Sequence, residues 1–383
     1  MIPLVPRVTL KEFLANPVYD RPTLVRDIIS LDQVESIAEE LMSRMGDAQV
    51  QLQRKTRGDS DKDDDGVTEI YDVTLQEAAE YMMDSSYDDS FFAFCEGLLD
   101  NDKCDDDDDD DDDDCAALSS RLSEIREAPF RGENWFDYFP PSIRPTDAVI
   151  LAGEGSCSTL HRDPFEWTGT SICLEGTKIW RFIIPNEENG EGGVSKVDNA
   201  LESYRLDSIA WTMEDEKKDP LVLSRGWQSD FFFYARRAED VPSAMELSEL
   251  EDDNMDAYVA EIEAVGTDIS LLSPDEQILD LVQSKQFDFV TAIQQAGDLL
   301  IIPAHCWHQT YAPVPSIAVA SQRCGAAVDG ASVVQHVLES LSSTRTETLR
   351  PPDILMMARQ SDYHEGDGKK VVHALVEHLS SMG

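Results

Sequence analysis

Basic residues are scarce in this chain of 383: 31 lysines and arginines stand against 77 aspartates and glutamates, a net charge of −46. So acidic a surface repels nucleic-acid phosphates and anionic membranes, and no local basic patch offsets it. Basic proteins are therefore the expected partners, and nucleic acid is not. Paired cysteines are missing too. The seven cysteines (Cys95, Cys104, Cys115, Cys157, Cys173, Cys306 and Cys324) are odd in number and form no C-x-x-C. That spacing is poor for a zinc module and weak ground for a disulfide framework, so a reducing compartment, cytoplasm or nucleus, is expected. No apolar run approaches the ~20 residues that span a bilayer. The opening MIPLVPRVTLKEFL has neither a charged leader nor a sustained apolar stretch. The expectation is a soluble protein without a membrane partner.

What the chain does have is a mixed first part and a strand-rich second one. Capping boxes at Thr9…Glu12, Ser30…Gln33 and Thr74…Glu77 announce three helices. Between them AQVQLQRK and VTEIYDV alternate as two strands of a hairpin. Residues 105–114 are ten consecutive aspartates, expected to form a solvated, disordered loop. From about Trp135 onward come short apolar runs: DAVILAG, STLHRD, TSICLEG, KIWRFIIP, FVTAIQQ, DLLIIP and SIAVASQ. Gly and Pro punctuate them, as in an antiparallel sandwich or barrel. Residues 186–285 interrupt the series with acidic, partly helical sequence, including a helix start at Ser273-Pro274. Two helical stretches, about 329–343 and 369–381, close the tail. The segments 1–125, 126–325 and 326–383 are thus read as a mixed α/β region, a β-barrel with an insertion, and a helical segment. The fold class is α+β.

Chemistry begins at His161-Arg162-Asp163. On a strand, residues i and i+2 point to one side, so His161 and Asp163 can grip one ion. Taken alone the pair is weak, because an acid two places after one of seven histidines arises about once by chance in so acidic a chain. AGDLLIIPAHCWHQT adds a tight turn, an apolar strand and a second histidine region. Two histidines and a carboxylate on one face of an octahedron leave three positions open, which suits non-haem iron(II).

HRDPFEWTGTSICLEGTKIWRFIIP resembles the JmjC-domain pattern, in which H-x-D precedes a strand, a Gly turn, a lysine, an aromatic residue and a closing proline. GDLLIIPAHCWHQT is similar to that family's G-D-apolar-Pro-x-x-W-H segment. The resemblance covers roughly 130–325 and, more loosely, the first 100 residues. It implies a double-stranded β-helix (jelly-roll, cupin-type) barrel and an iron(II)- and 2-oxoglutarate-dependent oxygenase. It assigns the metal to His161, Asp163 and His308, with His308 preferred over His305 because it follows the aromatic Trp307. It assigns Lys178 to the distal carboxylate of 2-oxoglutarate, and places Ser158 and Ser171 near that co-substrate; dioxygen is the other co-substrate. Relatives often carry Thr or Asn on the last barrel strand, where this chain has Ala320, with Ser321 and Gln322 after it.

The remaining features carry no chemistry. Asp61-Lys62-Asp63-Asp64-Asp65-Gly66, with Asp72 in twelfth place, imitates an EF-hand loop but reads better as a hairpin loop. Trp180 and Trp307 read as core aromatics. His336, His364, His373 and His378 need no role beyond surface or helix packing. The expected activity is hydroxylation of a protein side chain, of a basic protein for preference. Removal of an N-methyl group, a tRNA or small-molecule substrate, and a non-catalytic acidic scaffold for basic proteins are the alternatives. A homodimer through the C-terminal helices is a further expectation.

Overall fold

The computed structural model describes residues 4–55, 68–83, 90–99, 112–141, 144–154, 156, 158, 160–163, 167–185, 205–206, 227–229, 287–304, 306–325, 329–343, 352–361 and 366–382. Their fifteen strands are β1 Arg7–Thr9, β2 Thr23–Arg26, β3 Gln49–Lys55, β4 Thr68–Thr74, β5 Ser90–Glu96, β6 Ala148–Ala152, β7 Leu160–Arg162, β8 Thr168–Glu175, β9 Thr177–Pro185, β10 Arg205–Leu206, β11 Trp227–Ser229, β12 Phe287–Gln295, β13 Leu299–Ile302, β14 Trp307–Tyr311 and β15 Ser316–Arg323. The helices are α1 Leu10–Ala15, α2 Leu31–Met45, α3 Leu75–Met83, α4 Asp112–Glu127, α5 Gly330–Ser343, α6 Pro352–Gln360 and α7 Asp367–Met382.

The three capping boxes form as the sequence requires. Thr9, Ser30 and Thr74 each accept from the backbone N–H three residues on, and Glu12, Gln33 and Glu77 reach back to the cap. Each such cap stabilises its helix by about 1 kcal/mol. In α2 the apolar positions Val34, Ile37 and Leu41 fall on one stripe and are buried. That stripe packs with Leu75 and Ala78 of α3 and Leu118 and Leu122 of α4 against Leu52, Ala93, Leu151, Ile172 and Leu299. One face of a sheet is covered in this way.

The strands make an α+β fold with two large, mainly antiparallel sheets, neither closed on itself. One has nine strands in the order β1-β2-β13-β8-β15-β6-β5-β3-β4, and the other six in the order β10-β11-β7-β14-β9-β12. Only β1 and β2 pair in parallel among these strands. From β6 to β15 the chain crosses back and forth, placing β6, β8, β13 and β15 in one sheet and β7, β9, β12 and β14 in the other. The sheets meet through Leu24, Leu300 and Ile302 from the first and Trp180, Phe182 and Ala292 from the second. Gly176, between β8 and β9, has φ +74°, which side-chain-bearing residues adopt at a cost.

Each of the seven apolar runs named from sequence contains a strand, and β3 pairs with β4 in full register. The hairpin, the strands of the second half named from sequence and both tail helices fall where the sequence pattern puts them. The additional elements are β1, β2, β5, β14, α4 and α6, together with β10 and β11, short strands within the stretch read as acidic and partly helical. The run SFFAFCE in β5 is short and uniformly apolar, a pattern that does not distinguish strand from buried helix. Asp112–Asp114, at the end of the aspartate run, are the first residues of α4 rather than loop; acidic residues are favoured in a first turn by the helix dipole. Residues 105–111, the EF-hand-like stretch 61–66, the Ser273 helix start, and His305 and His364 lie outside the described residues, as does most of 186–285. No described helix is long and apolar enough to cross a membrane.

A second core joins the tail helices to the 3-10 turn Trp135–Tyr138. Trp135 is fully buried among Val333, Val334, Val371, Val372 and Leu375. A Cβ on Gly368 would lie 2.1 Å from its ring and one on Gly330 2.5 Å away, so both glycines are there for the indole to fit. Gly368→Ala is accordingly expected to cost about 1–3 kcal/mol through overpacking. Urea unfolding would read this, and an unchanged midpoint would show that the indole has room to retreat.

Candidate metal centre

Three side chains converge where β7 and β14 pair. His161 and His308 are directly opposite in the antiparallel register, which brings cross-strand side chains onto one face. Their rings lie 4.3 Å apart between centroids. Asp163, just past the end of β7, points to the same place: its Oδ1 is 3.9 Å from His161 Nε2 and 3.8 Å from His308 Nε2. The three ligand atoms all lie within 4.8 Å of one another, a span that one ion can bridge.

The environment prepares these groups for a cation. His308 is 3% exposed, whereas Asp163 keeps 28% and His161 27%, so the centre is anchored on one side and reachable on the other. His308 Nδ1 is 3.0 Å from the Cys306 carbonyl. An N–H donated there leaves the Nε2 lone pair free, the usual way in which a ligand histidine is oriented. Burial, reinforced by the His161 ring, pushes the His308 pKa down to about 4, so the imidazole is neutral near pH 7, as a metal ligand must be. Phe182, opposite His308 on β9, and Trp180 flank that ring at 5.9 and 5.8 Å.

Lys178 lies on the same sheet, on β9, and is 2% exposed. Its ammonium sits 4.9 Å from the centre of the Trp180 ring, and its charge is near enough to help lower the His308 pKa. Among the described residues the ammonium has no hydrogen bond and no carboxylate partner. Burial pushes its pKa down to about 8, with the Cys173 thiol beside it acting the other way. A buried cation without an anion is costly, and a bound anion is what would relieve it.

The serines are placed differently. Ser171, fully buried on β8, donates to the Gln294 side chain at 3.4 Å and so stands across from the Lys178–Trp180 pair. The Ser158 hydroxyl accepts from the Thr310 backbone N–H at 2.9 Å, and its carbonyl accepts from Gln309, so it ties the approach to β7 onto β14. Ala320 faces Ser171 in the register, and the Ser321 hydroxyl is engaged by Asp147 at 2.6 Å. Trp180 and Trp307 are core aromatics, as read from sequence, but Trp180 also carries the lysine. Gln294 was not singled out by sequence; its neighbour Gln295 and the other polar residues of β12 give it no local distinction.

Compared with known proteins, the chain matches no family model and no curated protein.

His161→Ala, Asp163→Ala and His308→Ala are each expected to weaken binding of manganese(II) by at least ~10-fold, whereas His305→Ala leaves it near wild type. Calorimetric titration of the metal-free protein decides this. Loss in His305→Ala with retention in His308→Ala would reverse the assignment.

Proposed function

We propose that this protein is an iron(II)- and 2-oxoglutarate-dependent oxygenase of the JmjC kind that hydroxylates a protein side chain. The observation that carries the reading is one pairing: a two-histidine, one-carboxylate cluster beside a buried lysine that has no counter-ion among the described residues. Either half alone has ordinary explanations. Together they match the needs of a metal that binds a dicarboxylate through one end and leaves the other end to a cation. The alternation of β6, β8, β13 and β15 with β7, β9, β12 and β14 between two sheets supports the finer reading of the fold as a double-stranded β-helix.

The donor set fits iron(II), since three protein ligands on one face leave room for a bidentate co-substrate and for dioxygen. Bound there, the metal with 2-oxoglutarate and dioxygen would supply an oxidant able to replace a C–H hydrogen by hydroxyl, with loss of carbon dioxide from the co-substrate. The chain's own residues do the positioning. His308, held by the Cys306 carbonyl, fixes one ligand direction from the dry side. Asp163 and His161 complete the face toward solvent. Lys178 holds the distal carboxylate by a charge-assisted contact that burial strengthens. Trp180 and Phe182 keep water from the inner wall, which limits side reactions at an open metal.

The substrate class follows from charge. At −46 the surface attracts basic proteins and repels phosphates, which favours a basic polypeptide over a nucleic acid.

Anaerobic titration of the purified protein with iron(II) and then 2-oxoglutarate tests the reading through the visible charge-transfer band of the ternary complex. The wild type is expected to develop the band; its absence overturns the proposal. In Lys178→Ala the metal still binds, but the 2-oxoglutarate requirement rises at least ~10-fold, as expected for a lost contact of about 1.5–3 kcal/mol. An unchanged requirement removes Lys178 from the site.

A further inference from the structure

Gln294 lies on β12 with its side chain completely buried. Its amide makes four contacts. The oxygen accepts from Trp180 Nε1 at 2.9 Å and from the Ser171 hydroxyl at 3.4 Å. The nitrogen donates to the Ser171 carbonyl at 2.7 Å and to the Asp298 carbonyl at 3.1 Å. Both lone-pair directions and both N–H groups are therefore used, the full capacity of a primary amide. The partners come from both sheets: Trp180 is on β9, beside Gln294, whereas Ser171 is on β8 and Asp298 immediately precedes β13. Around them the space between the sheets is lined by the apolar side chains of Leu24, Leu300, Ile302 and Phe182.

The indole so fixed is the group on which Lys178 rests. Trp180 carries the ammonium at 4.9 Å on its ring and stands 5.8 Å from the ring of His308. Gln294 is also the register partner of Lys178 across β12 and β9. An unrestrained indole has two broad torsions to explore; one hydrogen bond at Nε1, held by an amide that cannot turn, selects one setting.

We propose that Gln294 is a positioning residue for the co-substrate anchor: through Trp180 it fixes where the Lys178 ammonium stands relative to the His161–Asp163–His308 centre. It touches neither metal nor co-substrate and acts only through the indole. The inference rests on the reading of Lys178 as the anion seat. It adds a dependence of co-substrate affinity on a side chain of the opposite strand.

The test measures 2-oxoglutarate binding by calorimetry to manganese(II)-loaded protein, where no turnover occurs, in wild type, Gln294→Leu, Trp180→Phe and the double variant. Trp180→Phe keeps an aromatic face and removes the Nε1 donor. Gln294→Leu is expected to weaken 2-oxoglutarate binding at least ~5-fold with manganese(II) affinity within ~2-fold of wild type. Trp180→Phe should show a comparable loss, and the double variant little more than either alone, because both remove one linkage. Should Gln294→Leu fail to fold, Trp180→Phe carries the test alone. Near-wild-type binding in the variants, or losses that simply add, overturns the positioning role. Wild-type protein that binds manganese(II) but no 2-oxoglutarate overturns the anion-seat reading itself, before any variant is compared.

Discussion

The pairing of β14 with β7 is the constraint on which the rest depends. It sets His308 opposite His161, 147 residues earlier in the chain, and only then can Asp163 complete a three-ligand face. One residue of slip would turn His308 to the other side of its strand. The register is held from several directions. Ser158 is bonded to the backbone N–H of Thr310, Gln309 reaches the Ser158 carbonyl, and β14 pairs along its whole length with β9. A slip would also carry the rings of Trp307 and Tyr311, buried on the other face of the same strand, out of their packing.

Around that pairing the molecule separates two kinds of burial. Helices α2, α3 and α4 cover the outer face of the nine-stranded sheet with a purely apolar cluster. The inner side, between the sheets, is apolar but admits a few polar groups. Gln294 is fully bonded, whereas the Lys178 ammonium rests on the Trp180 ring. A buried cation with no carboxylate beside it among the described residues is costly, and a bound anion would relieve that cost.

The tail is fastened to this frame by charge as well as by packing. Asp329, fully buried before α5, accepts from the backbone of Gly325 and Thr168, and burial pushes its pKa up to about 6. Arg323, at the end of β15, donates to Glu127 at 2.8 Å and lies over the Phe130 ring. Thr168 opens β8, whose next turns of sequence lead to Ser171. The residue leading into the C-terminal helices is thus tied to the start of β8, and the overall acidity of the chain does not prevent a buried carboxylate from serving as a fastener.

Much of this is legible in the sequence, and for local reasons. Capping boxes are three-residue signals, and the strands of the second half are alternating or fully apolar runs bounded by Gly and Pro, so propensity and pattern agree there. The i, i+2 spacing of His161 and Asp163 suggests a pair on a strand of period two, but only together with the His308 segment does it stand above chance. Other features needed tertiary structure. The run SFFAFCE carries no period, and its pairing with β3 and β6 decides that it is a strand. Asp112–Asp114 look like solvated loop until α4 is seen to begin there. The family resemblance places Ser158 near a co-substrate, and only the fold shows its hydroxyl accepting from Thr310 of β14. The role of Gln294 is the furthest from sequence: its partners lie up to 123 residues away, and nothing local distinguishes it from its neighbour Gln295. Sequence determined which residue types were available for a metal and an anion, since that depends on chemistry and short spacing. Tertiary structure decided which of them meet, because strand register and sheet-to-sheet contact are made between segments far apart in the chain.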